Sequence, residues 1–161
     1  MKNKITDKLF ELAYTDSMTE VQKRNAYEEH LKKLRKPSAN LSRITVIVVD
    51  VNGLKEINDS YGHFCGDDAI KTVAKALRDT IGLKADIYRI GGDEFVCISE
   101  SNVLPYISQF KDTIYFINNE KLYNLSVSIG YSRFHEKYSK SIDDIICRAD
   151  EKMYKDKKSK K

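Results

Sequence analysis

The sequence predicts an α+β domain in which helices flank a central, mostly antiparallel sheet. Strand-like and helix-like stretches interleave along the chain without the regular repeat that a parallel sheet requires. Two strand-like runs separated by a pair of glycines, within residues 85–98, predict a β-hairpin in the middle of the chain. A length of 161 residues suffices for one buried core and is short for two. We therefore expect a single domain over residues 1–161, with a lead-in helix over residues 1–14.

The first third of the chain predicts two helices and a buried strand. Apolar residues recur at helical spacing from residue 5 to about residue 36, with a break near residues 15–18. Residues 43–51 read RITVIVVDV and are β-branched and almost wholly apolar before Asp50, which is typical of a central strand buried on both faces. A polar, glycine-punctuated loop follows and leads into a long helix with apolar positions from residue 69 to residue 81.

The hairpin dominates the second half of the chain. Its predicted arms are residues 85–90 and 94–98, and we expect Gly91 and Gly92 to supply the positive φ that tight hairpin turns need. The remaining predicted elements are a helix over residues 103–116 with Pro105 in its first turn, a strand over residues 122–131, and an amphipathic helix over residues 142 to about 157.

Composition excludes several classes of protein. The chain is 41% apolar and 32% charged, which is ordinary for a folded domain, and it shows neither a membrane-spanning run nor a signal peptide, so we expect a cytoplasmic protein. Cys65, Cys97 and Cys147 are widely spaced and lack a CxxC pattern, so we expect reduced thiols and no zinc site. Much of the net charge of +4 comes from lysines at the C-terminal end. No aromatic residues accompany them in a nucleic-acid-binding pattern, and we expect no nucleic acid partner.

Two acids at predicted strand ends suggest a metal site. Asp50 closes the buried strand and Asp93 follows the hairpin turn, so both carboxylates would converge if these strands were neighbours. Two carboxylates and a backbone carbonyl suit Mg²⁺, which takes the rest of its ligands from water and substrate phosphates. This combination indicates phosphoryl or nucleotidyl transfer. On spacing alone, two unrelated turn acids are an equally good interpretation.

The loop after the buried strand carries further polar candidates. Lys55 follows Gly53, where exposed backbone N–H groups and an ammonium would hold phosphates, although a solvated lysine is the simpler interpretation of Lys55 alone. Asn58 and Asp67 either bond their own backbone in turns or read the polar edge of guanine.

Four motifs follow one another along the chain and read DVNGLKEINDSYGHFCGDDAI, RIGGDEF, SVSIG and RADEKMYKDKK. In this order they resemble the GGDEF domain of diguanylate cyclases, and the resemblance covers roughly residues 12–161. A single GGDEF run is a weak signal, whereas four motifs in this order and at these separations are specific. The resemblance implies a fold related to the palm of nucleotide cyclases and polymerases. It also implies synthesis of cyclic di-GMP from two GTP molecules with release of pyrophosphate.

The resemblance further implies a role for each matching residue. Asp50, Asp93 and the carbonyl of Val51 would bind Mg²⁺ or Mn²⁺, with two ions per active site. Glu94 would assist at the metal or at the 3′-hydroxyl of GTP, and Asn58 and Asp67 would recognise guanine. The phosphates would be contacted by Lys55, Lys157 and Lys161 and by the backbone around Gly53 and Leu54. Gly91 and Gly92 would let the backbone pass close to the nucleotide.

Each such domain holds one GTP, so catalysis implies a homodimer. The chain shows no sensor domain, and an upstream sensor or regulatory partner is expected to lie outside it. The chain departs from the family pattern at several positions, among them the DVNGLK loop, where Asn52 and Leu54 stand, and Lys161, which stands at an arginine position. The N-terminal motif DxLTGLxNR reads DSMTEVQKR here, with Glu20 at the glycine position and Lys23 at the asparagine position. The positions of the RxxD product-inhibition motif hold Gly82 and Ala85, so we expect that inhibition to be absent.

Three functions remain open at this point. An active diguanylate cyclase is favoured by the intact Asp50, Asp93, Asn58 and Asp67. A catalytically weak or inactive GTP-binding regulatory module is the alternative, and the altered N-terminal motif favours it. A basic nucleic-acid binder rests only on the C-terminal lysines and would bind with steep salt dependence.

Overall fold

The computed structural model describes residues 8–9 and 11–160, and in this part of the chain five strands form one sheet with helices on both faces. Residues 8–9 and 11–14 are helical. The elements that follow are β1 (Gln22–Lys23), α1 (Arg24–Leu34), β2 (Thr45–Val51), α2 (Leu54–Tyr61), α3 (His63–Thr80), β3 (Asp86–Arg89), β4 (Glu94–Ser99), α4 (Leu104–Asn118), β5 (Val127–Arg133) and α5 (Ile142–Ser159). The predicted positions before residue 8, and Lys161, lie outside the described residues.

The sheet has the strand order β1-β3-β4-β2-β5. The pairs β3–β4, β4–β2 and β2–β5 are antiparallel, and the two-residue strand β1 pairs with β3 in parallel. The predicted α+β class with a mostly antiparallel sheet is therefore confirmed. All seven residues of β2 are buried, as expected for a β-branched strand with neighbours on both sides and helices on both faces.

Alternation along β2 sorts its side chains into two core layers. Ile47, Val49 and Val51 pack with α3 and α4 on one face. Val46 and Val48 pack with α1 and α5 on the other face. By the same alternation Asp50 belongs to the face that α5 covers, which decides which helix its carboxylate meets.

The hairpin is present, but the predicted reason for its glycines is wrong. Among the described glycines only Gly53 and Gly62 have positive φ, at 64° and 84°. The loop over residues 90–93 is closed by the N–H groups of Ile90 and Gly91, which both donate to the Glu94 carbonyl at 3.0 and 3.4 Å. No residue of this loop adopts the left-handed conformation. A Cβ at Gly91 would lie 2.6 Å from Glu94 Oε2, so the end of the Glu94 side chain would have to move to accommodate it.

The strand predicted over residues 122–131 begins later, at Val127. Tyr123 and Leu125 are buried at 5% and 2% exposure, so the apolar alternation that predicted a strand is genuine. The segment before Val127 nevertheless pairs with no strand, and the Leu125 N–H donates to the Asn118 side chain at 2.6 Å instead. Period-two burial does not require a hydrogen-bonded neighbour, and this explains the error.

The cysteines and the helices can be compared with what the composition predicted. Cys65, Cys97 and Cys147 are free thiols, as predicted. Among residues 8–9 and 11–160, no helix has the length and apolar character needed to cross a membrane.

Candidate active site

The carboxylates at the strand ends come together because β2 and β4 are neighbours. Asp50 lies directly opposite Glu94 in the antiparallel ladder. One residue further on, the Val51 N–H donates to the Asp93 carbonyl at 2.9 Å, which ties the hairpin loop to the end of β2. The adjacency that a shared metal site needs is therefore present, whereas the roles of these residues stay predictions.

Burial and crowding of acids set the electrostatics of this edge. The Asp50 side chain is only 7% exposed, and its Oδ1 accepts a hydrogen bond from Lys157 Nζ at 2.7 Å. Burial raises the pKa of Asp50, and the charge of Asp93 raises it further. The Lys157 ammonium lowers the pKa of Asp50, but the net shift is upward. Burial and the charges of Asp93 and Asp50 likewise raise the pKa of Glu94. The hydrogen bond to Asp50 raises the pKa of Lys157. This edge thus concentrates negative charge that a cation would neutralise.

A cavity of about 600 Å³ opens beside these acids. Its wall is formed by the C-terminal end of β2, the hairpin loop, α2 and the C-terminal end of α5. The lining residues include Val51, Asn52, Gly53, Leu54, Lys55, Asp93, Ser126, Lys157 and Lys160. Gly53, with φ at 64°, turns the chain into α2, and no side chain caps that helix start. Uncapped N–H groups at a helix N-terminus, beside two lysines, are suited to phosphate oxygens.

Asn52 is a cavity residue to which the sequence assigned no role. Its main-chain N–H donates to the Ser126 carbonyl at 2.9 Å. Its side chain donates to Ser126 Oγ at 3.1 Å and accepts from Ser128 Oγ at 2.7 Å. These bonds anchor the loop before Gly53 to β5. The only signal in the sequence is the polar SVS run, whose serines face Asn52.

The predicted guanine-binding residues lie on the α2–α3 pair, and neither lines the cavity. Asn58 packs against Gly66, where a Cβ would lie only 1.9 Å from Asn58 Oδ1. Asp67 is the next residue along α3 and is exposed. Asp68, beside it, accepts from Lys121 Nζ at 2.6 Å and from the Tyr123 hydroxyl at 2.5 Å. The structure therefore brings Asn58 and Asp67 to one region of the α2–α3 pair. Asp50, Gly92 and Glu94 also lie outside the cavity wall.

Close contact between α5 and β5 places Lys157 over Asp50. A Cβ on Gly130 would lie 2.1 Å from the Ala149 carbonyl oxygen and 2.2 Å from the Met153 nitrogen, so the helix backbone rests directly on the strand. Gly130 is the glycine of the SVSIG motif, which carried no structural role in the sequence interpretation. Its small size lets the last turns of α5 reach the cavity.

The altered N-terminal motif forms a tight loop against the hairpin. Asp16 accepts from the Thr19 N–H and hydroxyl at 3.1 and 2.6 Å and from Arg89 Nη1 at 3.1 Å. Arg89 Nη2 also donates to the Gly92 carbonyl at 2.7 Å. Burial alone would raise the pKa of Asp16, but these bonds outweigh it and lower the pKa. Glu20 has φ of 60° and pairs with Arg78 at 3.1 Å, so a glutamate occupies the left-handed conformation that glycine favours.

The donor set fits a hard divalent cation. Asp50 and Asp93 offer carboxylate oxygens, and Val51 offers a main-chain carbonyl at the same edge. Within residues 8–9 and 11–160, no three His, Cys, Asp or Glu side chains already form a metal-ligating cluster. A cation here would therefore complete its shell with water or phosphate oxygens, as Mg²⁺ does.

Comparisons with known proteins agree on one family. The family model described as "Diguanylate cyclase, GGDEF domain" matches residues 13–161. A probable diguanylate cyclase of Escherichia coli K12, DgcI, is 33% identical over 153 residues, covering 94% of this chain and 33% of the relative. A diguanylate cyclase of Vibrio cholerae is 29% identical over 170 residues, covering 96% of this chain and 50% of the relative. This chain thus spans a third to a half of the length of these relatives.

Solved structures match the fold. The crystal structure of the coiled coil and GGDEF domain of DgcB from Caulobacter crescentus, in complex with c-di-GMP, superposes with a TM-score of 0.81 at 21% identity. The match covers 98% of this chain and 87% of that chain. The diguanylate cyclase SiaD of Pseudomonas aeruginosa, solved with its activator SiaC, gives a TM-score of 0.78 at 20% identity over 98% of this chain and 64% of that chain. At these identities the likeness is one of fold.

Proposed function

Since the chain belongs to the GGDEF domain family of diguanylate cyclases, we propose that it joins two GTP molecules into cyclic di-GMP and releases pyrophosphate. One observation carries the proposal. The cavity is lined by Asp93, by the N-terminus of α2 with Lys55, and by Lys157, whose ammonium donates to the neighbouring Asp50 at 2.7 Å. A nucleoside triphosphate would there meet N–H groups and ammonium groups along its phosphates, with carboxylates nearby to hold a cation.

The proposed reaction is two successive in-line phosphoryl transfers. The 3′-hydroxyl oxygen of one GTP attacks the α-phosphorus of the other, and a new P–O bond forms. The bond from the α-phosphorus to the oxygen that bridges to the β-phosphate breaks, and pyrophosphate leaves with that electron pair. The hydroxyl proton passes to a base. Glu94 is the candidate within this chain, because it lies opposite Asp50 at the paired strand ends and its raised pKa favours proton acceptance by a carboxylate.

We assign the remaining roles to residues of this chain as follows. Asp50, Asp93 and the Val51 carbonyl would hold Mg²⁺ or Mn²⁺, with two ions per site. When bound, such a metal supplies polarisation of the phosphate and a lower pKa for the attacking hydroxyl. Lys55 and the first N–H groups of α2 would hold the outer phosphates, and Lys157 would neutralise phosphate charge. Asn58 and Asp67 would select guanine.

Two copies of the chain are needed in this proposal. A cavity of about 600 Å³ has room for one nucleotide, so the second GTP has to be brought by another domain. Each copy would present its nucleotide's 3′-hydroxyl to the other's α-phosphate. Control by a sensor or by a partner protein is part of the proposal, and the greater length of the curated relatives supports it.

The test is product analysis by chromatography after incubation with GTP and Mg²⁺ or Mn²⁺ over a wide series of protein concentrations. Cyclic di-GMP is expected to rise faster than linearly with protein and to vanish in Asp93→Ala. Asp112→Ala, which removes an exposed acid on α4, is the matched control and should keep activity. Bound GTP without product at the highest concentration would favour the regulatory module instead. Absence of both binding and product would refute the site assignment.

A further inference from the structure

The outer edge of the sheet is covered by side chains instead of by another strand. In the described part of the chain β5 is the last strand of the sheet, next to β2. Such an edge presents unpaired N–H and C=O groups. Here α5 lies along β5 and extends one side chain per turn to those groups. We call this set the edge ladder, and it consists of Arg148, Lys152, Asp156 and Lys160.

Each member of the ladder bonds the main chain of one residue of β5, and successive members bond every second residue along the strand. Arg148 Nη2 donates to the Arg133 carbonyl at 3.0 Å, and Lys152 Nζ donates to the Tyr131 carbonyl at 3.0 Å. Asp156 Oδ2 accepts from the Ile129 N–H at 2.8 Å. Lys160 Nζ donates to the Val127 carbonyl at 2.7 Å and to Asp156 Oδ2 at 2.6 Å. The helix thus continues the hydrogen bonding of the sheet.

The ladder exists because two periods nearly match. Four helical residues advance roughly 6 Å, and two strand residues advance roughly 6.7 Å. One helix face can therefore follow the outward-pointing groups of a strand over several turns. The small mismatch is within the reach of flexible lysine and arginine side chains.

The register of α5 on β5 is restricted by Gly130. The helix backbone would be 2.1 Å from a Cβ at this position, and the residues two before and two after it on the same face are Ser128 and Ser132. A slip of α5 by one rung would bring a serine Cβ to that point of contact. The ladder and the glycine therefore select the same placement of the helix.

The last two rungs bracket Lys157. Asp156 precedes it, Lys160 follows within one turn, and both Lys157 and Lys160 line the cavity. Lys157 Nζ is 2.7 Å from Asp50 Oδ1. The final turn of a helix tends to fray unless tertiary contacts hold it, and Asp156 and Lys160 provide such contacts.

We propose that Asp156 and Lys160 are positioning residues that hold the last turn of α5 on β5 and thereby aim the Lys157 ammonium into the cavity. This inference rests on the proposed function in one respect, namely that the cavity receives the phosphate groups of GTP. The other two members of the edge ladder, Arg148 and Lys152, cover the sheet edge without acting on Lys157.

The first experiment measures binding of the non-reactive analogue α,β-methylene-GTP, with Mg²⁺, by calorimetry. Asp156→Ala should raise its dissociation constant about tenfold, the size expected when one bond to a charged group is misdirected. Lys152→Ala removes one rung of the same kind far from Lys157 and should stay within about twofold of the unaltered protein. Asp156→Asn keeps an acceptor oxygen for Ile129 and should recover most of the affinity.

Simple charge effects predict the opposite result. Removing a carboxylate from the neighbourhood of a triphosphate should tighten binding, whereas the positioning role requires weaker binding. Equal or tighter binding by Asp156→Ala, or an equal loss in Lys152→Ala, would overturn the proposal.

The second experiment needs no nucleotide. The free energy of unfolding is measured for Asp156→Ala, for Lys157→Met and for the double variant. A control cycle replaces Asp156→Ala by Lys152→Ala and keeps Lys157→Met. Neighbouring helical residues do not face each other, so non-additive costs for residues 156 and 157 would have to act through helix placement. Additive costs overturn the proposal whatever the nucleotide result. Non-additive costs in a protein that binds no analogue would leave the positioning role standing and remove the proposed function.

Discussion

Glu20 departs from the family pattern, which has glycine at this position, and it adopts a backbone conformation that glycine favours. Its φ of 60° is the conformation for which glycine is best suited, and its side chain pairs with Arg78 across the surface. A residue with a Cβ pays roughly 1–2 kcal/mol in this region. The loop that contains Asp16 is therefore kept at some cost in stability.

The first prediction follows from this backbone conformation. Glu20→Gly and Glu20→Ala both lose the Arg78 pair, but only glycine relieves the left-handed strain. The glycine variant should be more stable than the alanine variant by about 1 kcal/mol in urea unfolding. At Lys75, an exposed position within α3, the order should be reversed, because alanine is favoured over glycine by about 1 kcal/mol in a helix. An alanine variant at position 20 that equals or exceeds the glycine variant would contradict the prediction.

The second prediction concerns acid. Burial would raise the pKa of Asp68, but the hydrogen bonds from Lys121 and Tyr123 outweigh it and lower that pKa below its ordinary value of 3.8. A depressed folded-state pKa gives stability that is present above the unfolded-state pKa and is lost as pH falls through the folded-state pKa. The free energy of unfolding should therefore fall between about pH 5 and pH 3, and less steeply in Asp68→Asn. Identical slopes in the two proteins would show that Asp68 is not a source of the acid sensitivity.

The sequence could predict which residues lie near the ends of β2 and the hairpin, because they stand at strand ends or in motifs with a recognisable order, whereas their roles stay predictions. Asp93, Lys55 and Lys157 line one cavity, and Asp50 lies beside it and bonds Lys157. Asn52 could not be found, because its partners Ser126 and Ser128 are more than seventy residues away and bond it only after β2 and β5 have paired.

At the scale of elements, the α2–α3 pair shows how a glycine sets the distance between two helices. Gly62 separates the helices with φ of 84°, and Gly66 lets the Asn58 side chain lie against the backbone of α3. Asn58 is thus held by the shape of the helix pair. Its predicted role in binding guanine depends on that packing.

The third prediction tests this packing. Gly66→Ala would place a Cβ 1.9 Å from Asn58 Oδ1, so either the side chain or the helix has to move. We expect a loss of about 1–3 kcal/mol in the free energy of unfolding and, under the proposed function, weaker GTP binding. Gly92→Ala, where nothing lies within 4 Å of the added Cβ, should change stability by less than about 0.5 kcal/mol. Equal costs at the two positions would rule out the close approach.

The elements themselves were predictable to different degrees. The strand β2 and the helices α3 and α5 carry long patterns of one period and were predicted in type. The start of β5 was misplaced because Tyr123 and Leu125 alternate inward without a strand partner. The positive φ predicted at Gly91 and Gly92 was wrong because the loop geometry depends on how many residues the two arms leave unpaired. The sequence does not specify that number.

At the scale of the whole molecule, the family and the fold inferred from four ordered motifs are confirmed. Arg89 connects two regions that are far apart in sequence, since it bonds Asp16 in the N-terminal loop and the Gly92 carbonyl in the hairpin loop. Its side chain is 17% exposed. The N-terminal loop and the proposed active site therefore share one guanidinium group.

The fourth prediction is that Arg89→Ala loosens both regions together. Loss of a largely buried guanidinium leaves the Asp16 carboxylate and the Gly92 carbonyl without this partner, which should cost about 2–4 kcal/mol in the free energy of unfolding. Hydrogen exchange should accelerate both at residues 16–20 and at residues 90–93. Acceleration in only one of the two segments would show that Arg89 does not couple them.

The covered edge of β5 has a consequence for how molecules of this protein meet. Because α5 occupies the outward main-chain groups, a second molecule cannot attach there by adding a strand. Contacts at this edge would have to rely on side chains, and small contacts of that kind separate quickly. Under the proposed function, the output of the site would follow the square of the local density of molecules. The rate of product formation would then report how concentrated the protein is at one place in the cell.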